Sequence, residues 1–145
     1  MAKRTTPLGT EIDDKEYSKK IKEQRLWVFL KIDVEGYREK FNKGIFSIDD
    51  LVYLMFPLSE KKRKIAKDMI LYIKKYKSDI NKRYLKVMMK ELGYPTSTAW
   101  QVYLCLKRAG VLVRKNKTEP IALSEQFARF TQEVADWWRA WVKYG

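Results

Sequence analysis

The sequence predicts a mainly helical fold that carries one small β-hairpin. Apolar residues recur at helical spacing in several segments of the chain, which is the pattern of amphipathic helices. Two of these segments are followed by glycines, Gly93 and Gly110, at positions where helices commonly end. The β-branched run Val111–Arg114 is followed by a polar turn and a second apolar run, which predicts two paired strands.

The chain divides into four predicted segments. They are a flexible basic tail at 1–13, an N-terminal helical extension at 14–58, a folded domain at 59–124 and a long C-terminal helix at 125–145. In the extension, Gly36 is expected to divide a first helix and Gly44 to end it. A second helix is expected to begin at Ser47 and to stop at Pro57.

The segment 59–124 has a regular order of elements. The predicted helices are Glu60 to about Lys77, Lys82 to Leu92, and Ser97 or Thr98 to Ala109, and the predicted strands are Val111–Arg114 and Pro120–Leu123. The side chains expected to face the core are Ile65, Met69, Tyr72, Ile73 and Tyr76 on the first helix, Tyr84, Leu85, Met88 and Leu92 on the second, and Ala99, Val102, Tyr103 and Leu106 on the third.

The charge of the chain points to a polyanionic partner. Lys and Arg total 31 against 18 Asp and Glu, a net charge of +13. Residues 59–90 hold twelve of the basic residues and only three acids. Nucleic acid is the first candidate partner and an anionic membrane surface the second; a charged surface of the thermophile type is the alternative without a partner. Lys3 and Arg4 in the tail fit either a minor-groove arm or a solubilising end.

The sequence argues against an enzyme. It has no histidine and one cysteine, so the usual zinc ligands and the commonest general base are missing, and no cofactor is expected. Cys105 lies on an apolar helix and fits a small core residue. No apolar run approaches the length of a membrane span, and the N-terminus does not read as a signal peptide.

The stretch PTSTAWQVYLCLKRAGVLVRK carries a family resemblance. Ser97-Thr98-Ala99 opens the third helix, Val102, Tyr103 and Leu106 have core spacing, Ala109-Gly110-Val111-Leu112 closes it, and Leu123-Ser124-Glu125 follows the second strand. In this it resembles the winged helix-turn-helix superfamily of DNA-binding proteins, in the style of transcriptional regulators from archaea or their viruses. The resemblance covers about 85 residues from Ser59 and implies a recognition helix followed by a wing.

The resemblance and the charge together give a set of candidate DNA contacts. Base edges would be contacted by Thr96, Ser97, Thr98, Trp100 and Gln101. Phosphates would be contacted by Lys61, Lys64, Lys82, Arg83, Lys86, Lys107 and Arg108, and by Arg114, Lys115 and Lys117 of the wing. Trp100 has an alternative, which is packing on the preceding helix or on the N-terminal segment. The first half of the recognition helix has no Arg or Lys, so strong base-specific readout is not expected.

The C-terminal helix has an aromatic seam. Phe127, Phe130, Val134, Trp137, Trp141 and Tyr144 are spaced three, four, three, four and three residues apart. Two interpretations stay open: a homodimer through Phe127, Phe130, Val134, Trp137, Trp138 and Trp141, or packing of the seam onto the chain's own N-terminal helices.

These observations predict a transcriptional regulator that prefers certain sequences of double-stranded DNA. The alternative is a protein-interaction or structural assembly component that docks through the winged helix and the Trp-rich C-terminal helix, with the transcription machinery as one such partner. The expected location is the cytoplasm, or the host cytoplasm for a viral protein.

Overall fold

The computed structural model describes residues 3–5, 11–13 and 33–144. In chain order its elements are β1 Lys3–Thr5, β2 Glu11–Asp13, α1 Val34–Asn42, α2 Ile48–Met55, α3 Glu60–Lys75, a 3₁₀ turn Asn81–Arg83, α4 Leu85–Leu92, α5 Thr96–Arg108, β3 Leu112–Val113, β4 Ala122–Leu123 and α6 Gln126–Tyr144. The predicted class, mainly helical with a small antiparallel hairpin, is confirmed. The chain forms two units, residues 1–63 and 64–145, and α3 begins in the first and continues into the second.

In the first unit, β1 and β2 pair as antiparallel strands. Lys3 lies opposite Asp13, and Thr5 lies opposite Glu11. The sequence predicted a flexible tail for residues 1–13, so the strands are a difference from that expectation. Residues 14–32 of the predicted extension lie outside the described residues.

The helices α1 and α2 have well-defined starts. The Asp33 side chain accepts a hydrogen bond from the backbone N–H of Gly36 at 3.3 Å, so Gly36 lies inside the first turn of α1 and does not divide the helix as predicted. The predicted start of α2 at Ser47 is confirmed, because the backbone N–H of Ser47 donates to Asp50 at 3.0 Å in a capping box. Asp50 also forms an ion pair with Lys40 of α1.

The second unit has its core where the helical periodicity predicted it. The buried side chains include Ile65, Met69, Tyr72 and Ile73 of α3, Met88 of α4, and Ala99, Val102, Tyr103 and Leu106 of α5. Tyr76, Tyr84, Leu85 and Leu92 were also predicted to face inward, and they are half-buried. The helix predicted from Lys82 to Leu92 begins later than expected. Residues 81–83 form a 3₁₀ turn, and α4 starts only at Leu85.

Two glycines set the ends of α4 and α5. Gly93 follows α4 with φ +69° and Gly110 follows α5 with φ +81°, a left-handed backbone that residues with a Cβ rarely adopt. Both predicted helix ends are therefore confirmed. Gly110 is also closely packed, since a Cβ built on it would lie 2.8 Å from the backbone nitrogen of Phe127.

The hairpin β3–β4 is shorter than predicted and is joined to the segment before α4. Leu112 pairs with Leu123, and Val113 pairs with Ala122. The backbone N–H of Ile121 donates to the carbonyl of Arg83 at 2.8 Å, and the Arg83 guanidinium donates back to the Ile121 carbonyl at 2.7 Å. The hairpin is thereby fixed to the 3₁₀ turn, and β3 also packs against α5.

The last helix, α6, starts at the Gly110 turn. The backbone N–H of Phe127 donates to the Gly110 carbonyl at 3.1 Å, and Ser124 caps the helix by accepting from the N–H of Gln126 at 3.1 Å. No side chain of α6, from Gln126 to Tyr144, is buried. Within the second unit, no other element therefore covers the aromatic seam.

Candidate nucleic-acid interface

The outward face of α5 is largely open to solvent, with the half-buried Leu104 in its middle. Ala99, Val102, Tyr103 and Leu106 face the core, and the opposite side carries the exposed residues Thr96, Ser97, Trp100, Gln101, Lys107 and Arg108. At about 100° per residue, these exposed side chains share one arc of the helix. Thr98, also a predicted base contact, lies nearer the core side and is half-buried.

Trp100 lies in the middle of this face and is only partly covered. The residue is 42% exposed. It packs against Tyr103 one turn further along α5, with 5.6 Å between the ring centroids. The exposed half of an indole presents an apolar surface beside the amide of Gln101, and such a pair can contact a thymine methyl group and an adenine edge.

Arg114 connects the hairpin to α5. Its guanidinium lies 5.7 Å from the centroid of the Tyr103 ring, within cation–π range. Tyr103 is buried, and its hydroxyl has no hydrogen-bond partner among the described residues. Burial raises the pKa of Tyr103, and the Arg114 charge opposes that rise. Arg114 is thus half-buried and held beside α5, whereas Lys115 and Lys117 are exposed.

The tip of the hairpin is ordered by Asn116. Its side-chain oxygen accepts from the Thr118 N–H at 2.9 Å and from the Thr118 hydroxyl at 2.6 Å, and its carbonyl accepts from the Glu119 N–H at 3.2 Å. These bonds form a turn of the kind that Asn side chains favour. Lys115 and Lys117 flank Asn116, so a defined turn presents two positive charges to solvent.

Two of the predicted phosphate contacts have partners inside the protein. Lys82 forms an ion pair with Glu91, whose hydrogen bond raises the pKa of Lys82. The same bond lowers the pKa of the Glu91 carboxyl. Arg83 is half-buried and binds the Ile121 carbonyl. The structure therefore gives Lys82 and Arg83 roles in holding the 3₁₀ turn, which the charge pattern alone did not distinguish from phosphate contact.

Comparisons with family models, with curated proteins and with solved structures find no match for this chain.

Helix α4 keeps two exposed lysines on one face. Lys86 and Lys90 are four residues apart, and both side chains are exposed. Lys90 was not among the predicted contacts, although its spacing from Lys86 was a usable signal. Among the described residues, neither lysine forms an ion pair within 4 Å, so both charges are available to a partner.

A hydrogen bond joins α3 to the turn before α5. The Tyr94 hydroxyl donates to the Asp68 carboxylate, and this bond together with partial burial raises the pKa of Tyr94 to about 12. Lys64 is exposed and lies one helical turn before Asp68 on the same face of α3. Lys61, the other contact predicted on α3, is exposed and belongs to the first unit.

The described residues contain no group of three or more Cys, Asp or Glu side chains arranged to hold a metal ion. None of the described helices combines the length and apolar character that crossing a membrane requires.

Proposed function

We propose that this chain binds double-stranded DNA as a winged helix-turn-helix protein and acts as a transcriptional regulator. The observation that carries the proposal is the outward face of α5, which is exposed at six positions between Thr96 and Arg108, where the side chains are polar, aromatic or basic. A helix of this kind fits the major groove, where the residues of its first turns can reach base edges.

The elements around α5 support the same function. In the proposed mode, α4 and the turn at Gly93 correspond to the first part of the helix-turn-helix, and β3–β4 corresponds to the wing. The bonds between Arg83 and Ile121 hold the hairpin against the residues that precede α4. Lys115 and Lys117 at the hairpin tip would contact phosphates beside the groove that α5 enters.

Phosphate contacts dominate the proposed binding. Among the exposed basic residues of the second unit, the proposed mode uses Lys64, Lys86, Lys90, Lys107, Arg108, Lys115 and Lys117. Base readout rests on Gln101 and Trp100, because the first two turns of α5 have no Arg or Lys. We therefore expect moderate sequence preference on top of strong electrostatic affinity.

The test is duplex binding as a function of salt. With about six phosphate contacts, the logarithm of the association constant should fall with the logarithm of salt concentration at a slope of roughly −5. Selection of bound fragments from a random duplex pool would then give the preferred site. Failure to bind any duplex at low salt would reject the function.

The alternative, a protein-interaction or assembly component, is favoured by one observation. The aromatic side chains of α6 are exposed, and exposed apolar faces commonly bind other proteins. The two functions differ in the duplex experiment, since an assembly component has no reason to bind DNA with a steep dependence on salt.

A further inference from the structure

The apolar face of α6 is too large to be an ordinary surface. We call Phe130, Val134, Trp137, Trp138 and Trp141 the aromatic face. Phe130 and Trp137 are each 62% exposed, and Trp138 and Trp141 are each 54% exposed. Trp138 and Trp141 stack with their ring centroids 5.5 Å apart. Monomeric proteins rarely expose a contiguous apolar patch of this extent, so a partner is expected to cover it.

The aromatic face begins after the first turn of α6. Phe127 is half-buried, and its backbone N–H is bound to the carbonyl of Gly110. A Cβ built on Gly110 would lie 2.8 Å from the Phe127 nitrogen, so the two residues are closely packed. Phe127, predicted as a dimer contact, is therefore engaged within its own unit, and the surface left for a partner runs from Phe130 to Tyr144.

The spacing of the aromatic face indicates a helical partner. Phe130, Val134, Trp137 and Trp141 are four, three and four residues apart, which is the repeat by which two helices insert side chains between one another. A seam of this kind is complementary to a copy of itself. Closed twofold dimers of identical chains are also the commonest assemblies of soluble proteins.

The aromatic face is large enough for a small specific interface. An aromatic side chain buries roughly 150–250 Å² when covered, so the exposed fractions of its four aromatic side chains leave about 350–580 Å² per chain. Two copies would bury about 700–1,200 Å² in total, at the small end of the range of specific protein interfaces.

Helix α6 is nearly neutral, unlike the basic surfaces of the chain. Arg129, Arg139 and Lys143 are opposed by Glu133 and Asp136, so the net charge of the helix is only +1. Arg139 also lies 3.4 Å from Asp136. An anionic bilayer would favour a polar face rich in Lys and Arg, and a near-neutral face brings two copies together with little repulsion.

We propose that α6 pairs with α6 of a second copy of this chain through the aromatic face. The pairing does not depend on DNA binding, because it uses a different surface. It leaves the exposed face of α5 available in each copy.

Sedimentation velocity on the full chain without DNA tests the pairing. The wild-type chain should sediment with twice the mass of one chain. Trp137→Ala and Trp141→Ala should each raise the dimer dissociation constant at least about 30-fold, as central aromatic contacts do. Both side chains are exposed, so the far-ultraviolet circular dichroism should be retained. Trp100→Ala is the matched control, because it removes an exposed tryptophan of α5 and should leave the dimer intact.

A wild-type chain that stays monomeric at high micromolar concentration would overturn the proposal. Binding of the chain to phosphatidylserine-containing vesicles, measured in parallel, tests whether the aromatic face binds a lipid surface instead. A monomer whose vesicle binding is lost in the Trp137→Ala variant would assign the aromatic face to a lipid surface, and a dimer unaffected by both substitutions would place the contact elsewhere. A dimer that binds no duplex would uphold the pairing and reject only the proposed DNA binding.

Discussion

Arg83 and Ile121 bind each other twice, although 38 residues separate them in the chain. The carbonyl of Arg83 accepts from the N–H of Ile121, and its guanidinium donates to the carbonyl of Ile121. A residue that the charge pattern assigned to phosphate contact thus holds the hairpin in place. Substituting a residue that holds the hairpin should lower the stability of the fold, whereas substituting a phosphate contact should weaken duplex binding.

Arg83→Ala should lower the free energy of unfolding by about 1–3 kcal/mol, because it removes a hydrogen bond and leaves a carbonyl group without its partner. Lys86→Ala is the matched control on the neighbouring helix, where the exposed side chain forms no ion pair among the described residues. It should change stability by less than about 0.5 kcal/mol and still weaken duplex binding. Urea unfolding of both variants measures the difference, and equal losses of stability would contradict the structural role of Arg83.

Gly110→Ala should be much more destabilising than Gly93→Ala. Both glycines have a positive φ, which costs an alanine about 1–2 kcal/mol. An added Cβ meets no atom within 4 Å at Gly93 but lies 2.8 Å from the Phe127 nitrogen at Gly110. We expect a loss of about 1 kcal/mol for Gly93→Ala and about 3 kcal/mol or more for Gly110→Ala. Denaturant midpoints of the two variants test this, and indistinguishable midpoints would refute the close packing at Gly110.

The Tyr94–Asp68 bond should make stability depend on alkaline pH. The pKa of Tyr94 is raised from 10.0 to about 12 in the folded chain, so its contribution is complete below pH 10 and is lost as the pH rises towards 12. Tyr94→Phe should cost about 1–2 kcal/mol at neutral pH, since the bond is only partly buried.

The wild-type advantage over Tyr94→Phe should shrink when urea unfolding is repeated at pH values above 10. Tyr144→Phe serves as the control, because Tyr144 is 79% exposed at the end of α6. An advantage that stays constant across this range would show that the Tyr94 hydroxyl is not held by Asp68.

Under the proposed function, the hairpin tip and α5 should contribute differently to binding. Lys115→Ala combined with Lys117→Ala should weaken all duplexes alike and reduce the salt slope by about two. Gln101→Ala should instead change which sequences are preferred, at a cost of about 1–3 kcal/mol on the preferred site. Competition binding with selected and random duplexes measures both effects. Lys143→Ala on α6 is the control for charge, and a loss as large as that of the tip would argue against the proposed interface.

The helices of the second unit were predictable because local signals agree there. The inward residues of α5 have a helical period, and Gly93 and Gly110 mark the helix ends, so the core and the exposed face follow from spacing alone. The bonds of Arg83 with Ile121 and of Tyr94 with Asp68 were not predictable, because they join residues distant in the chain. For the same reason the sequence could not decide whether the aromatic face of α6 is covered.

Gly36 illustrates a different failure of sequence reasoning. A glycine within a helical pattern lowers helix propensity, so a break at Gly36 was a reasonable expectation. In the structure it is the third residue of α1, where its N–H binds the side chain of Asp33. The capping bond in the first turn outweighs the propensity of one residue.

The hydrogen bond from Phe127 to Gly110 has a mechanical consequence. Phe127, in the first turn of α6, is bound to Gly110, the glycine that follows α5, and only residues 124 and 125 lie between β4 and α6. The direction of α5 therefore constrains the direction of α6. Under the proposed pairing and DNA binding, two chains joined at their C-terminal helices would hold their α5 helices at a fixed separation. A duplex would have to match that separation, and the distance between half-sites would be a property of this one junction.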